Sequence, residues 1–253
     1  ASSLLDLGSV VCEQGDYAKA RMLYEESLSM RSGMGDKSGI ADSLYMLGKL
    51  AYWQGEYVAA RASFEESLSL CREMGDKSAI ALALTHLGNV VSSQSDYAAA
   101  QALHEESLRL CREMGFKLGS AIALVDVGYE AYLQGDYIKA RLSYEECLAL
   151  CKEMDEKQVM AYALFGLGLL DLTVNKPEAR EHILHSLRLR WDTGERLQQT
   201  SSLIGAAGLV LEEGNPQFAA ELLGAVESVL KGLGAVMEPE LKPFHTRTLE
   251  AAR

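Results

Sequence analysis

Apolar residues recur at spacings of three and four along most of the chain. Over residues 38–54, SGIADSLYMLGKLAYWQ, Ile40, Leu44, Leu47 and Leu50 fall on one stripe, the signature of an amphipathic helix. Gly55 tolerates a positive φ and predicts a stop, and Glu56 is placed to cap the next helix. A second helix is predicted from Tyr57 to Met74, with Ala60, Phe64, Leu68, Leu70 and Cys71 on its buried side. Gly75 ends it, and Asp76–Lys77–Ser78 turns the chain into another helix of the first kind. Each helix of about 17 residues would be about 25 Å long.

This two-helix pattern returns every 40 residues. QGDY at 14–17 reappears as QGEY at 54–57, QSDY at 94–97 and QGDY at 134–137, and EESL at 25–28 reappears at 65–68 and 105–108, then as EECL at 145–148. Gly8, Gly48, Gly88, Gly128, Gly168 and Gly208 mark six periods. A fixed period in this range means stacked supersecondary units. Gly48 and Ala60, with their equivalents, are expected where paired helices cross. An aromatic column, Tyr24, Phe64 and Tyr144, with His104 in the third unit, fills the space beside the crossing. The pair Glu65–Glu66 faces away from the core, and Arg61 and Arg141 precede Glu65 and Glu145 by four residues, a spacing for weak surface pairs. The fifth unit has Asn175–Lys176–Pro177 in place of the Gly-Asp-Tyr turn and is one residue short there; the sixth has Gly214–Asn215–Pro216.

The columns Leu44, Leu47–Gly48, Gly55, Tyr57, Ala60 and Phe64 resemble the signature of the tetratricopeptide repeat family. They are refilled at Leu84, Leu87–Gly88, Tyr97, Ala100 and at Leu124, Gly128, Gly135, Tyr137, Ala140, Tyr144. The likeness covers nearly the whole chain. It departs from the family in its 40-residue period, against 34, which predicts longer helices. Arg72, Arg112 and Lys152 also stand where a proline is usual. The resemblance implies an all-α, right-handed superhelical solenoid of about six helix-turn-helix repeats over residues 1–237, the first truncated at its start. A capping helix is expected in 238–253, from about Pro239 to Ala252. A narrower resemblance, carried by ESLSLCREMGDKSAIALALTHLGNVV and FAAELLGAVESVLKGLGAVMEPELKPF, is to the carboxy-terminal repeat arrays of large bacterial LuxR-type regulators with a STAND-class ATPase. It implies a sensor or interaction region whose effector domain lies elsewhere in the polypeptide. The start in mid-repeat, without an initiator Met, fits that expectation.

Composition narrows the function. With 253 residues and 48% hydrophobic residues the chain can build a core. Its 36 acidic and 24 basic residues leave a formal charge of −12, which repels nucleic-acid backbones and anionic membranes. No apolar run reaches the roughly 20 residues of a membrane helix, and no signal peptide opens the chain, so a cytoplasmic setting is the default. Five cysteines are too few for a disulfide framework.

The family resemblance puts the first helices on a concave, peptide-binding face. The expected lining is Asp42, Tyr45, Lys49, Tyr52 and Trp53, then Leu82, Thr85, Asn89, Ser92 and Ser93, then Ile122, Val125, Tyr129, Tyr132 and Leu133, then Tyr162, Phe165 and Leu169. The candidate site is the subset Tyr45, Lys49, Tyr52, Trp53, Asn89, Tyr129, Tyr132, Tyr162 and Phe165, because tyrosine and tryptophan offer large contact area with a polar handle. Lys49 and Asn89 match the family's carboxylate-clamp types, but Thr85 and Asp126 do not. Glu130 stands in the apolar column of Val10, Leu50, Val90, Leu170 and Val210; it is expected to be solvated where the groove opens, with a contact to a basic ligand beside Tyr129 as the alternative. Cys71, Cys111 and Cys151 share a column and read as packing residues. Cys147–Cys151 and His182–His185 are each about a turn apart but lack third and fourth ligands nearby, so no metal or cofactor is expected. No nucleophile or P-loop motif occurs, and no catalytic residue is assigned.

The sequence thus reads as a non-enzymatic protein- or peptide-binding module, the sensor part of a multidomain regulator. Rival readings are a free-standing scaffold, an enzyme in a Tyr- and acid-lined groove, and self-association through apolar surface near Leu4, Leu7 and Val11.

Overall fold

The computed structural model describes residues 2–193, 196–233, 237 and 241–251. These form thirteen helices: α1 Ser2–Glu13, α2 Tyr17–Met34, α3 Lys37–Trp53, α4 Tyr57–Met74, α5 Lys77–Ser93, α6 Tyr97–Glu113, α7 Lys117–Leu133, α8 Tyr137–Met154, α9 Lys157–Thr173, α10 Ala179–Asp192, α11 Arg196–Glu212, α12 Pro216–Leu233 and α13 Lys242–Ala251. No strand occurs among the described residues. None of these helices is long and apolar enough to cross a membrane. The helices fall into two compact units, α1–α6 and α7–α13. Within each, every helix packs on its neighbours in sequence: α3 on α4 as a pair, α4 on α5 between pairs, and likewise α9 on α10 and α10 on α11.

Aspartates start the second helices. Asp16, Asp96 and Asp136 accept from the backbone N–H groups of Lys19, Ala99 and Lys139 at 3.1, 3.2 and 3.1 Å, satisfying a donor that the first turn leaves open. Glu56 makes no such bond. Its longer side chain reaches across to Arg21 at 2.7 Å instead, so the cap expected there is absent.

The glycine column has a spatial reason. A Cβ built on Gly48 would lie 2.8 Å from the Phe64 ring, and one on Gly88 would lie 2.5 Å from the His104 ring. Gly128 faces Tyr144 in the same way at 2.8 Å. The ring of each second helix therefore lies on bare backbone of the first. Tyr24, Phe64, His104 and Tyr144 are all essentially inaccessible. In the fifth repeat Ala179, Ile183, Ser186 and Arg190 take the places of Ala140, Tyr144, Cys147 and Cys151, one residue early. That is the shortened turn seen from inside.

Buried hydroxyls tie the pairs together. Ser67 donates to the Ala41 carbonyl and Ser107 to the Ala81 carbonyl, both at 2.9 Å, and Ser186 donates to that of Ala161 at 2.8 Å. Each bond joins the second helix of a pair to the first. On the surface Lys37–Glu73, Lys77–Glu113 and Lys117–Glu153 repeat one exposed ion pair, at 2.8, 3.1 and 2.8 Å.

The last pair is closed by α13. It packs on α11 and α12. Phe244 lies over Gly208, and Leu241 and Leu249 join the cluster that holds Leu223, Val226 and Leu230 of α12. Residues 238–240 and 252–253 of the expected capping segment lie outside the described residues.

Candidate functional site

In the first unit the expected lining converges on α3. Lys49 Nζ lies 5.7 Å from the centre of the Tyr45 ring and 5.1 Å from that of Trp53, held between two π faces. Trp53 is 42% exposed. Tyr52 turns to the next helix and meets Tyr57 at 5.9 Å. Tyr45 is a different kind of residue. Its ring packs edge-on to Phe64 and to His86, at 5.9 and 5.1 Å, and burial pushes its phenol up to about 12. It forms the floor of the cluster. Asn89 lies half-buried on α5, three residues beyond His86. Thr85 and Ser92 are buried, Thr85 bonded to Ser107 at 2.9 Å, so neither lines a surface.

The second unit contains its own aromatic groups. Tyr129 and Tyr132 on α7 are 6.5 Å apart, and Tyr132 continues to Tyr137 at 6.0 Å. The Tyr132 hydroxyl meets Thr173 Oγ1 at 3.0 Å. Tyr162 and Phe165 lie beneath the Arg190 guanidinium, 4.6 and 5.2 Å from their ring centres. Phe165 and Leu169 are buried in the core of this unit and do not line a surface. A single apolar face cannot be read from every third residue of a helix as buried as α9.

Glu130 overturns the solvated reading. It is 2% exposed, as deep as Leu50 and Val90 in its column. The Tyr144 phenol is held well above its ordinary value by burial first, then by the charges of Tyr132, Asp126 and Glu130. Val11 also proves to be core, packed with Cys12, Ala20, Tyr24 and Leu50; the exposed apolar residues of α1 are Leu7 and Val10.

Other groups stand where repeat columns are usually apolar. Asp171, fully buried, takes the place of Ala51, Val91 and Ala131. Arg141 from α8 pairs with one of its oxygens, and His182 Nδ1 from α10 meets the other at 2.8 Å. Arg141 approaches its expected partner Glu145 only to 4.0 Å. The column comparison that singles out Glu130 would also have found Asp171. Arg190 and Arg31 occupy the cysteine column. Arg31 meets Asp42 at 3.3 Å and Asp36 at 3.8 Å.

The cysteines pack as expected, all five being buried and free. Cys147 and Cys151 have their sulfurs 3.8 Å apart. The bond between them, together with burial, raises the Cys147 thiol, and the same bond lowers that of Cys151. Among the described residues no group of three or more His, Cys, Asp or Glu side chains gathers around a metal position. A shallow depression of about 300 Å³ is lined by Glu181, Leu184, His185 and Arg188, all from α10.

The family model described as tetratricopeptide repeat matches residues 1–73 and 78–153, more than half of the chain. The chain belongs to the tetratricopeptide repeat family. A search of the curated proteins gave no match. Among solved structures, this TPR chain is similar to the apo form of RapI, at 12% identity, over 99% of this chain and 96% of that one, with a TM-score of 0.70. It is similar to a Rap protein complexed with competence and sporulation factor, at 15% identity over 98% and 73% of the two chains, TM-score 0.72. It is also similar to a STAND protein with a tetratricopeptide repeat sensor from Pyrococcus horikoshii, at 18% identity and TM-score 0.61. There the alignment covers 97% of this chain and 38% of that one. At these identities the likeness establishes a shared fold.

Proposed function

We propose that this TPR chain is a non-enzymatic module that binds a peptide or an extended segment of a protein, and that the partner docks in the first unit on Lys49, Tyr52 and Trp53 of α3 and Asn89 of α5. The observation that carries this reading is Trp53: a large aromatic side chain, 42% exposed, with the Lys49 ammonium 5.1 Å over its ring. Exposed tryptophan beside a positioned cation offers apolar area and a charged hydrogen-bond donor together, the composition of a binding hot spot. Tyr45 supports the pair from below. The similar Rap fold gives further support, since one Rap protein was solved with competence and sporulation factor and another, the conjugation gene regulator of plasmid pLS20, with the Phr* peptide. The absence of catalysis in this reading rests on where the buried titratable groups are engaged: Asp171 by Arg141 and His182, and Cys147 by Cys151.

At a finer level we place the module in a bacterial signalling regulator, as its sensor region. Support comes from the similar fold of the STAND protein, whose TPR part is a sensor, and from the phrases that resemble those of regulator arrays.

The test begins with peptides selected from a random display library on the immobilised chain. Their affinity is then measured by calorimetry for the wild type, Trp53→Ala and Lys49→Ala. Truncating Trp53 should weaken binding by about 10- to 100-fold, a loss of about 1.4–2.7 kcal/mol, with unchanged circular dichroism. Selected peptides that bind all three proteins equally would place the docking face elsewhere. Tyr45→Ala is unsuited to this test, because removing a ring packed on Phe64 and His86 perturbs the core.

A further inference from the structure

The second helices carry a column of serines. Ser27, Ser67, Ser107 and Ser186 occupy it in the first, second, third and fifth repeats, and all four are buried. Three of them donate to a carbonyl of their paired first helix, those of Ala41, Ala81 and Ala161. One turn further along, Cys71 follows Ser67 and Cys111 follows Ser107, and each hydroxyl bonds the thiol after it. In the fourth repeat the serine is exchanged for Cys147, and Cys151 follows it. Among the described residues the Cys147 sulfur bonds that of Cys151, 3.8 Å away, and no carbonyl. The tie between two helices is given up, and two thiols face each other instead. Packing alone does not explain the exchange, because serine fills the same column in four other repeats.

We propose that Cys147 and Cys151 form a binding site for a soft metal ion of low coordination number, copper(I). Thiolates select soft ions, and copper(I) is satisfied by two of them. The want of third and fourth ligands, which argues against zinc, is then no objection. The geometry suits a two-coordinate ion. With metal–sulfur bonds of about 2.3 Å, sulfurs 3.8 Å apart subtend about 110° at the ion. Spreading them by about 0.8 Å makes the arrangement linear.

The electrostatics point the same way. The bond between the thiols lowers Cys151 and, with burial, raises Cys147, so one thiolate is favoured and the other proton is retained. Asp126 and Glu146 act on Cys147, and Glu156 acts on Cys151. Their negative charge opposes a second bare thiolate and favours a cation between the sulfurs. Loading replaces two S–H bonds by two Cu–S bonds. Both protons leave to solvent, no electron moves, and the bis-thiolate complex carries one net negative charge. Both sulfurs are inaccessible, so the ion enters through local opening of the helices and is then closed off from water.

The direct experiment is an anaerobic titration of the whole chain with copper(I), held by bicinchoninate as competing chelator and read by thiolate-to-copper absorption in the ultraviolet. One ion per chain is expected, with two protons released and a raised thermal midpoint. Cys147→Ser recreates the serine–cysteine pair of the second and third repeats, so circular dichroism should not change. Losing a ligand should cost this variant more than the roughly 10- to 100-fold in affinity that a lost supporting contact costs. Cys71→Ser and Cys111→Ser should bind copper as the wild type does. A wild-type chain that takes no copper from the chelator, or takes it no better than Cys147→Ser, would overturn the proposal. Copper lost on substituting Cys71 or Cys111 would overturn it in favour of another thiol set. Zinc(II) that displaces the copper would also overturn it, because a site of two thiolates gives zinc too few ligands.

Discussion

At the scale of single residues, the third repeat departs most from its neighbours. His104 takes the place of Tyr24, Phe64 and Tyr144, and burial pushes its imidazole down to about 4. His86 is pushed down to about 3, by burial first and then by Lys49 and His104; its ring stacks on Phe64 at 5.5 Å. Both rings are neutral in the folded chain at pH 7. In the unfolded chain each takes up a proton near 6.5, whereas the folded chain resists until well below that. Between these values protons favour unfolding, so the stability gained from neutral burial is complete above pH 6.5 and is lost as the pH falls toward 4. For His104 alone the loss from pH 7.5 to 5 is about 2 kcal/mol. His104→Phe keeps a ring over Gly88, as Phe64 lies over Gly48, and removes this titration. Urea unfolding of both proteins at the two pH values should show the variant losing about 2 kcal/mol less than the wild type. Equal losses would mean that His104 takes up its proton at the same pH in the folded chain as in the unfolded one. The sequence placed His104 in the aromatic column correctly. It could not show that His86 would stack on Phe64, because that contact joins two repeats.

At the scale of elements, the turn inside each repeat fixes where the second helix starts. Gly15, Gly55 and Gly135 close this turn with φ of 85°, 76° and 80°, and in the third repeat Ser95 does so at 67°. A serine there crowds its Cβ against the backbone, a cost of roughly 1 kcal/mol that glycine avoids. Ser95→Gly should therefore raise stability by about 0.5–1 kcal/mol in chemical unfolding, less the entropy that glycine adds to the unfolded chain. A loss of stability would mean that Ser95 gains from an interaction of its hydroxyl. This turn, the helix boundaries Tyr57 and Met74, and the glycine-on-ring packing were legible because a 40-residue period repeats each local choice several times. Features that occur once were not. Glu56 and Asp16 occupy one column, yet only the shorter side chain caps, because carboxylate reach differs by one methylene. Phe165 has the spacing of a lining residue, but Arg190 descends on it from α10 and α9 is buried on nearly every side. The column comparison flags Glu130 and Asp171, but that both are buried depends on what lies opposite them, which no single helix contains.

At the scale of the whole molecule, the charge sets a balance between two salt effects. The exposed pairs Lys37–Glu73, Lys77–Glu113, Lys117–Glu153, Arg21–Glu56, Arg72–Glu106 and Arg180–Glu213 each join two separate segments of one unit. Such exposed pairs are worth about 0–1 kcal/mol each, and salt weakens them. Against them stands a formal charge of −12. Twelve unbalanced charges make on the order of sixty repulsive pairs, each worth about 0.2 kcal/mol at a separation of about 20 Å in water. Unfolding relieves part of this repulsion by spreading the charges, so it counts against the folded chain. The pairs act over about 3 Å and keep much of their attraction when the screening length shortens. The repulsion acts over tens of ångströms and is lost almost entirely when that length falls from about 30 to about 8 Å. Raising sodium chloride from about 10 to 150 mM should therefore raise the thermal midpoint by a few degrees at pH 7.5, as read by circular dichroism. At pH 5, where protonation of carboxylates has begun to reduce the negative excess, the same salt step should have a smaller effect. A midpoint that falls with salt at pH 7.5 would show that the repeated ion pairs, rather than the net charge, dominate the electrostatics of this array.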